Sequence, residues 1–390
     1  MASSRQTKQE NAWNLTDKLQ VLLPALKDML RKQLKNRKQL IVNCFLAIII
    51  YITGLNSNFV ERFYSGGFYK YLSIGQRSIS DLFPFSIGDI LYVLFICFIL
   101  YRIVIYLRSL KDKRFTKAAV VAAPVGIINF ALILYIAFKL LWGLNYSRHS
   151  IAEKLAIGNE KYSPAQLVSL AQFLIERINS IQTQRMQVQK TEDQHYTAAE
   201  LEQLSASAYK EMEAKNLFFS YREPALKKAL NTWVITKIGL EGYYNPLSGE
   251  ANVNMRIPAH SLPFVACHEI AHQLGVGRED EANLVGYLVA SNSSDLNFKY
   301  SAVYSVLRNV LFELRIKLPE EYEQIAARIN EETILDFNRD REFWMKYNSD
   351  MYAYMDVALD SFLKLNNQQK GINSYQDIVI WVYNLHKREL

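Results

Sequence analysis

Two histidines four residues apart, His268 and His272, flank Glu269 in the stretch HEIAH. On a helix, positions i and i+4 share one face a turn apart, so both imidazoles reach a single ion. Zinc suits such a site best, because it accepts imidazole and carboxylate donors in a tetrahedron and leaves one position open for catalysis. Glu269 sits beside the first imidazole, where a catalytic site uses a carboxylate to take a proton from water. Ser261 and Pro263 read as the start of this helix and Gly275 and Gly277 as its end, predicting a helix over 261–275.

A third ligand must come from outside HEIAH. In a pattern HExxHxxGxxH, Gly275 fits, but the last position is Arg278, which does not bind metal. Three acids follow: Glu279, Asp280 and Glu281. A tight GVG turn folds a second helix, 278–291, back along the first. That arrangement sets Glu279 level with His272, and Asn283, one turn on, level with His268. Small Ala282 lets the two helices approach. Glu279 is therefore the expected third ligand, and Asn283 an expected hydrogen-bond partner for a histidine ring. Glu281 points about 200° around the helix from Glu279; it and Asp280 remain the alternatives. All three acids also suit a helix N-terminus on dipole grounds alone. His260, just ahead of the helix, is a candidate for contacting substrate, or else a capping histidine. Tyr300 is a candidate for stabilising an oxyanion. Cys267 reads as a packed core residue, and His149, His195 and His386 as structural or exposed.

The elements that must carry this site are mostly helical. Helices are expected over 163–181, opening at Thr197 with the capping-box pattern TAAE, and over 297–316, 319–330, 340–367 (with a break) and 374–388. Two strands are expected, 232–238 from its β-rich alternation and 249–255 with less support. The segment EANVN within the second reads as an edge strand along which an extended peptide could lie.

Upstream, the chain changes character. Three apolar runs, 40–55, 90–107 and 118–142, approach or exceed the ~20 residues that cross a bilayer. Basic residues crowd before the first run and between the second and third, whereas the loop 56–86 is less basic. By the positive-inside rule the N-terminus is cytoplasmic, and the 56–86 loop and everything after Trp142 lie outside. Residues 13–36 read as a basic amphipathic helix, suited to a membrane surface or to packing on the protein. The first 12 residues are polar and lack the pattern of a cleavable signal. The expected domains are a cytoplasmic segment 1–39, three spans within 40–142, and an extracytoplasmic domain 146–390. The fold class is an α-helical membrane anchor followed by a mainly α, α+β domain with a small sheet.

The formal net charge is +7, but much of the excess flanks the apolar runs, which accounts for it without nucleic acid. The three cysteines form no CxxC pair, and a disulfide framework is excluded for the C-terminal region.

HEIAH followed by EDEAN resembles the gluzincin metallopeptidases, in which HExxH pairs with a downstream ExxA[D/N]; Glu279 falls in the ligand position. The chain differs from them in the short interval between the two motifs. The wider arrangement is similar to a family of uncharacterised bacterial multi-pass membrane proteins with a zincin-like C-terminal domain. Shared-looking stretches are WGLNYSR (142–148), YYNPLSGEANVN (243–254), CHEIAHQLGVGREDEANLVGYL (267–288), KYSAVY (299–304) and LKLNNQQKGINSYQDIV (363–379). The resemblance implies a zincin-like domain anchored in a bacterial inner membrane and facing the periplasm.

The expected function is hydrolysis of a peptide or protein substrate outside the cytoplasm. His268, His272 and Glu279 would hold Zn2+ and Glu269 would act as base. The alternative is a sensor or assembly protein that keeps the domain as a binding module or closed zinc site. A transporter is disfavoured, since three spans are few and Arg102 and Lys139 sit late enough in their runs to reach the interface.

Overall fold

The computed structural model describes residues 36–111, 117–188, 195–347, 350–366, 368 and 377–390. The expected amphipathic segment 13–36 lies outside them except for Asn36. The chain divides into two compact units, 1–53 with 98–140, and 54–97 with 141–390.

Among the described residues, three helices are long and apolar enough to cross a membrane: α1 (Asn36–Gly54), α3 (Ile87–Lys111) and α4 (Lys117–Leu141). Their apolar side chains point outward, as with Phe45, Ile52, Phe98 and Ile128, the arrangement that lipid rather than a protein core accommodates. Within the first unit Asn43 Nδ2 donates to Asn129 Oδ1 at 3.1 Å, and Asn129 Nδ2 donates to the Asn36 carbonyl at 3.1 Å. In hydrocarbon such amides have no water to turn to, so they tie α1 to α4.

In the second unit the stretch expected as a loop, 56–86, is helical: a wide π-helical turn Val60–Phe68 runs into α2 (Tyr69–Asp81). The remaining helices are α5 (Pro164–Val188), α6 (Ala198–Glu213), α7 (Thr232–Lys237), α8 (Leu262–Gln273), α9 (Glu279–Ser291), α10 (Leu296–Lys317), α11 (Pro319–Ala326), α12 (Glu331–Tyr347), α13 (Asp350–Leu365) and α14 (Ile378–His386). The capping box at α6 forms as its sequence predicts: the Glu200 amide donates to Thr197 Oγ1, and Glu200 accepts from the Thr197 amide. The expected helix 340–367 is described as the end of α12 and as α13; residues 348–349, where a break would fall, lie outside the described residues.

One expected strand is a helix. Residues 232–238 alternate like a strand, yet Asn231 caps them by accepting from the Val234 amide at 3.0 Å, and Gly239 (φ +78°) ends the turn. Short β-branched runs carry a weak signal, and a local cap decides them. The sheet is instead β1 (Leu226–Lys228), β2 (Gly242–Asn245) and β3 (Glu250–Val253), in order β1-β3-β2. β1 runs parallel to β3, with Leu226 opposite Ala251; β2 runs antiparallel, with Gly242 opposite Val253. The stretch EANVN is thus the central strand, not an edge, and no peptide can pair along it. The edges are β1 and β2.

α8 lies on the sheet and against α9 and α10. Every residue of α8 and of α9 is buried. A helix covered on all sides is normally apolar on all sides; these two instead bury His268, Glu269, His272, Gln273, Glu279, Asp280, Glu281 and Asn283.

Arg148 ties the 54–97 segment to the end of α8. Its Nε and Nη2 donate to the two Glu61 oxygens at 3.0 Å each, and Nη1 donates to the Gly275 carbonyl at 2.9 Å. Lys154 also pairs with Glu61. Burial alone would raise the Glu61 carboxyl, but Arg148 and Lys154 outweigh it and hold it below its ordinary value. A carboxyl depressed by folding stabilises the native state above its unfolded pKa, about 4.3, and loses that contribution as pH falls through the folded value. The expected result is that the melting temperatures of wild type and Glu61→Gln differ most above about pH 5 and converge below about pH 4. A tryptophan-fluorescence melt series across that range reads this directly; a constant gap would remove Glu61 from the acid response.

Candidate metal centre

α8 begins after a 3-10 turn, Ala259–Ser261. Ser261 makes no side-chain cap; instead Ser301 Oγ, from α10, accepts from the Phe264 amide at 3.0 Å. The helix ends where expected, at Gly275 in the left-handed region (φ +79°), with the Val276 amide donating to the Ala271 carbonyl at 3.1 Å. A side chain at Gly275 would meet the Tyr69 ring at 2.9 Å. α9 then returns beside α8. Gly286 lets the backbones meet, since a Cβ there would lie 3.2 Å from the His268 amide. Ala282 is fully buried nearby.

This packing brings three donor atoms together. His268 Nε2 and His272 Nε2 are 3.1 Å apart, and Glu279 Oε2 is 3.3 Å from the first and 3.5 Å from the second. Ligands held about 2.0–2.2 Å from zinc at the corners of a tetrahedron are separated by about 3.3–3.6 Å. The two distances to Glu279 fall in that range and the distance between the histidines is about 0.2 Å shorter, so the three atoms come close to one face of such a tetrahedron, and the donor types suit zinc.

The far side of each ring supports the fit. His272 Nδ1 donates to the Val276 carbonyl at 2.7 Å, and His268 Nδ1 donates to Asn283 Oδ1 at 2.8 Å. Both Nε2 lone pairs then face each other and a carboxylate, which is untenable without a cation or a proton between them. In the metal-free chain a proton does this work. Burial disfavours a charged His272, but the Glu279 carboxylate outweighs burial and raises its pKa to about 9. A metal must displace that proton, so binding strengthens as pH rises.

Glu269 also lies within reach, one of its oxygens falling within 4.8 Å of donor atoms of both histidines. It differs from Glu279 in its surroundings. Its Oε2 is buried and makes no hydrogen bond, while its Oε1 and Cγ lie against Gly242 of β2, where a Cβ would come within 2.6 and 2.8 Å. Burial pushes its carboxyl up to about 7, near the value that suits proton transfer at neutral pH.

The other sequence candidates separate clearly. Asn283 stands at His268, and an Asn283→Ala variant is expected to bind zinc about 10–100-fold more weakly, measured by competition with a chelator of known affinity. Unchanged affinity would make Asn283 a packing residue only. Glu281 faces away from the imidazoles: its Oε1 accepts from the Ile151 amide at 2.9 Å, and burial raises its pKa to about 7. Asp280 accepts from Trp381 Nε1 at 3.3 Å. Tyr300 does not offer its hydroxyl to a reacting centre; that group donates to Asp336 Oδ2 at 2.7 Å. His260 sits between Asp336 and Asp340, its ring nitrogens 3.4 and 3.3 Å from their oxygens. Both belong to a buried polar cluster that joins α10 to α12. Burial alone would raise the Asp340 carboxyl, but its hydrogen bond and charge contact with His260 hold it low.

Sequence reasoning missed the groups that hold the end of α8. Tyr69 Oη donates to the carbonyls of Gln273 (3.1 Å) and His272 (3.3 Å), Ser73 Oγ to that of Gln273 (2.9 Å), and Arg77 Nη1 to the same oxygen (3.2 Å). Trp142 Nε1 donates to the His272 carbonyl at 3.0 Å. With Arg148 these groups satisfy the orphan carbonyls and place two cations at the negative end of the helix. Tyr69, Ser73 and Arg77 stand at i, i+4 and i+8, a polar helical stripe that was visible in the sequence. Gly242 carried no such signal.

No curated protein and no solved structure matches the chain. Residues 64–383, which include two of the apolar helices, the sheet and every residue of the candidate metal centre, match the model of a family described as "Protein of unknown function (DUF3810)", and the chain belongs to that family.

Proposed function

We propose that this protein is a membrane-anchored, zinc-dependent peptide hydrolase with its site on the outer side of a bacterial cytoplasmic membrane. The observation that carries this is the three-donor cage of His268, His272 and Glu279 beside an unpartnered, buried Glu269. Zinc, when bound, supplies a Lewis acid that activates water and polarises a carbonyl. The chain's own groups do the rest. Asn283 and the Val276 carbonyl hold the two Nδ1 protons, so both Nε2 atoms are presented as donors. Glu279 contributes the charge that balances a cation. Glu269 Oε2, bound to nothing else, takes the proton of the attacking water and returns it to the nitrogen of the departing amine. Burial on all sides keeps bulk water from competing.

The location rests on charge and on packing. Basic residues flank α1 and the α3–α4 connection. Residues 54–97 and 141–390 are separated in sequence by the remainder of α3 and by α4 and yet form one unit.

The proximity of Glu269 favours a second reading, a sensor or assembly protein in which Glu269 closes the zinc site as fourth ligand. The deciding experiment incubates zinc-loaded full-length protein in nanodiscs with a randomised peptide mixture and reads new termini by mass spectrometry. Chelator-sensitive cleavage supports the hydrolase. Identical peptide profiles with and without the protein, at one zinc per chain, would leave the closed site as the better account.

A further inference from the structure

A pocket of about 500 Å³ opens between Gly239 and Glu241, ahead of β2, and helices α10 and α12, within the range of small-ligand sites. Glu241 lines it, together with Arg308 of α10 and Arg341, Trp344, Met345 and Tyr347 of α12. Its Glu241 wall is one residue from Gly242, where an added Cβ would meet the Glu269 carboxylate, and the Glu241 charge acts on that carboxyl. The pocket thus shares the stretch 241–242 with the surroundings of Glu269.

The wall is aromatic and cationic. One acid lines it, Glu241, and Arg308 engages both this acid and Asp340, each with an oxygen 3.5 Å from its guanidinium. Arg341 is exposed and has no acidic partner among the described residues. Around the Tyr347 ring stand further cations. Arg256 Nη2 donates to the Tyr347 hydroxyl at 2.6 Å, and the Arg256 guanidinium and Lys346 ammonium lie 5.4 and 5.8 Å from the ring centroid. Arg308 is thus matched by two acids, while Arg341, Arg256 and Lys346 leave an excess of positive charge. A guanidinium beside apolar rings is suited to a carboxylate, which it can bind through two parallel hydrogen bonds.

We propose that this pocket receives a carboxylate of the substrate, either an acidic side chain or a free C-terminus, close to the bond that is cut. The inference rests on the hydrolase reading for the word substrate, but its test reads binding alone. Full-length Glu269→Gln protein in nanodiscs, zinc-loaded, is used to capture randomised decapeptides. One library is amidated at the C-terminus and a second carries a free carboxylate. Both are sequenced by mass spectrometry after washing in low salt.

If the pocket takes side chains, Asp and Glu are enriched on the order of fivefold in the amidated library. If it takes chain ends, the free-carboxylate library is retained about as strongly over the amidated one. In either case Arg341→Glu abolishes the preference and Arg341→Lys keeps part of it, a conservative rescue that misfolding does not mimic. The absence of both acidic enrichment and selective retention of the free-carboxylate library overturns the proposal, as does a preference of either kind that survives Arg341→Glu. A carboxylate preference in a protein that never cleaves peptides would leave the pocket standing and remove the hydrolase; cleavage with no such preference would do the reverse.

Discussion

Glu279→Ala is expected to empty the metal centre. Purified wild-type protein should carry one zinc per chain by elemental analysis, and the variant should carry almost none after dialysis. The reason is geometric. Glu279 Oε2 stands 3.3 and 3.5 Å from the two Nε2 atoms, and nothing in α9 can replace it: Asp280 turns to Trp381 and Glu281 to the Ile151 amide. Loss of a hydrogen-bonding neighbour of a ligand costs about 10–100-fold in affinity, so loss of a ligand itself should exceed about 100-fold. Removing Glu279 also removes the charge that offsets the cation in a buried site. Glu281→Ala is the matched control, a buried acid of the same helix turn, and should keep its zinc. Stoichiometric zinc in Glu279→Ala would sink the ligand assignment.

Glu269→Gln should have the opposite signature, with zinc retained and peptide cleavage lost. A positioned general base contributes about 10²–10⁴ in rate, and a glutamine at 269 keeps the shape while accepting no proton. Its Oε2 has no structural hydrogen bond to lose, so the fold should tolerate the change. Gly242→Ala tests the same group from the other side. Its new Cβ would fall 2.6 Å from Glu269 Oε1, so the carboxylate must move, and activity should drop while zinc stays. Steady-state kcat/KM on a cleaved peptide, read beside zinc content, separates the two roles of Glu269. Should Glu269→Gln lower zinc affinity as much as Glu279→Ala does, Glu269 is a fourth ligand and the site is closed.

Much of this protein was legible as local pattern. HEIAH and EDEAN, one short turn apart, specify two helices that must fold back on each other. That constraint set Glu279 and Asn283 against the two imidazoles and turned Glu281 away, because spacing on an α-helix converts directly into direction. The apolar runs were equally plain, since twenty apolar residues in succession have few soluble uses.

What spacing could not decide was everything carried by distant contacts. The six-residue run 232–237 alternates like a strand, but a side-chain cap from Asn231 made it helix. EANVN was recognised as a strand, and only the pairing of β1 and β2 on its two sides showed it to be central. Tyr300 and His260 were plausible by residue type; Asp336 and Asp340, from a helix much further along the chain, had already claimed them. The support beneath His272 comes from Tyr69, Ser73, Arg77, Trp142 and Arg148, more than 120 residues upstream. Helix periodicity acts over a few turns, whereas burial and hydrogen-bond satisfaction act across whatever the fold brings together. Tertiary structure alone therefore chose the groups that hold the site in place.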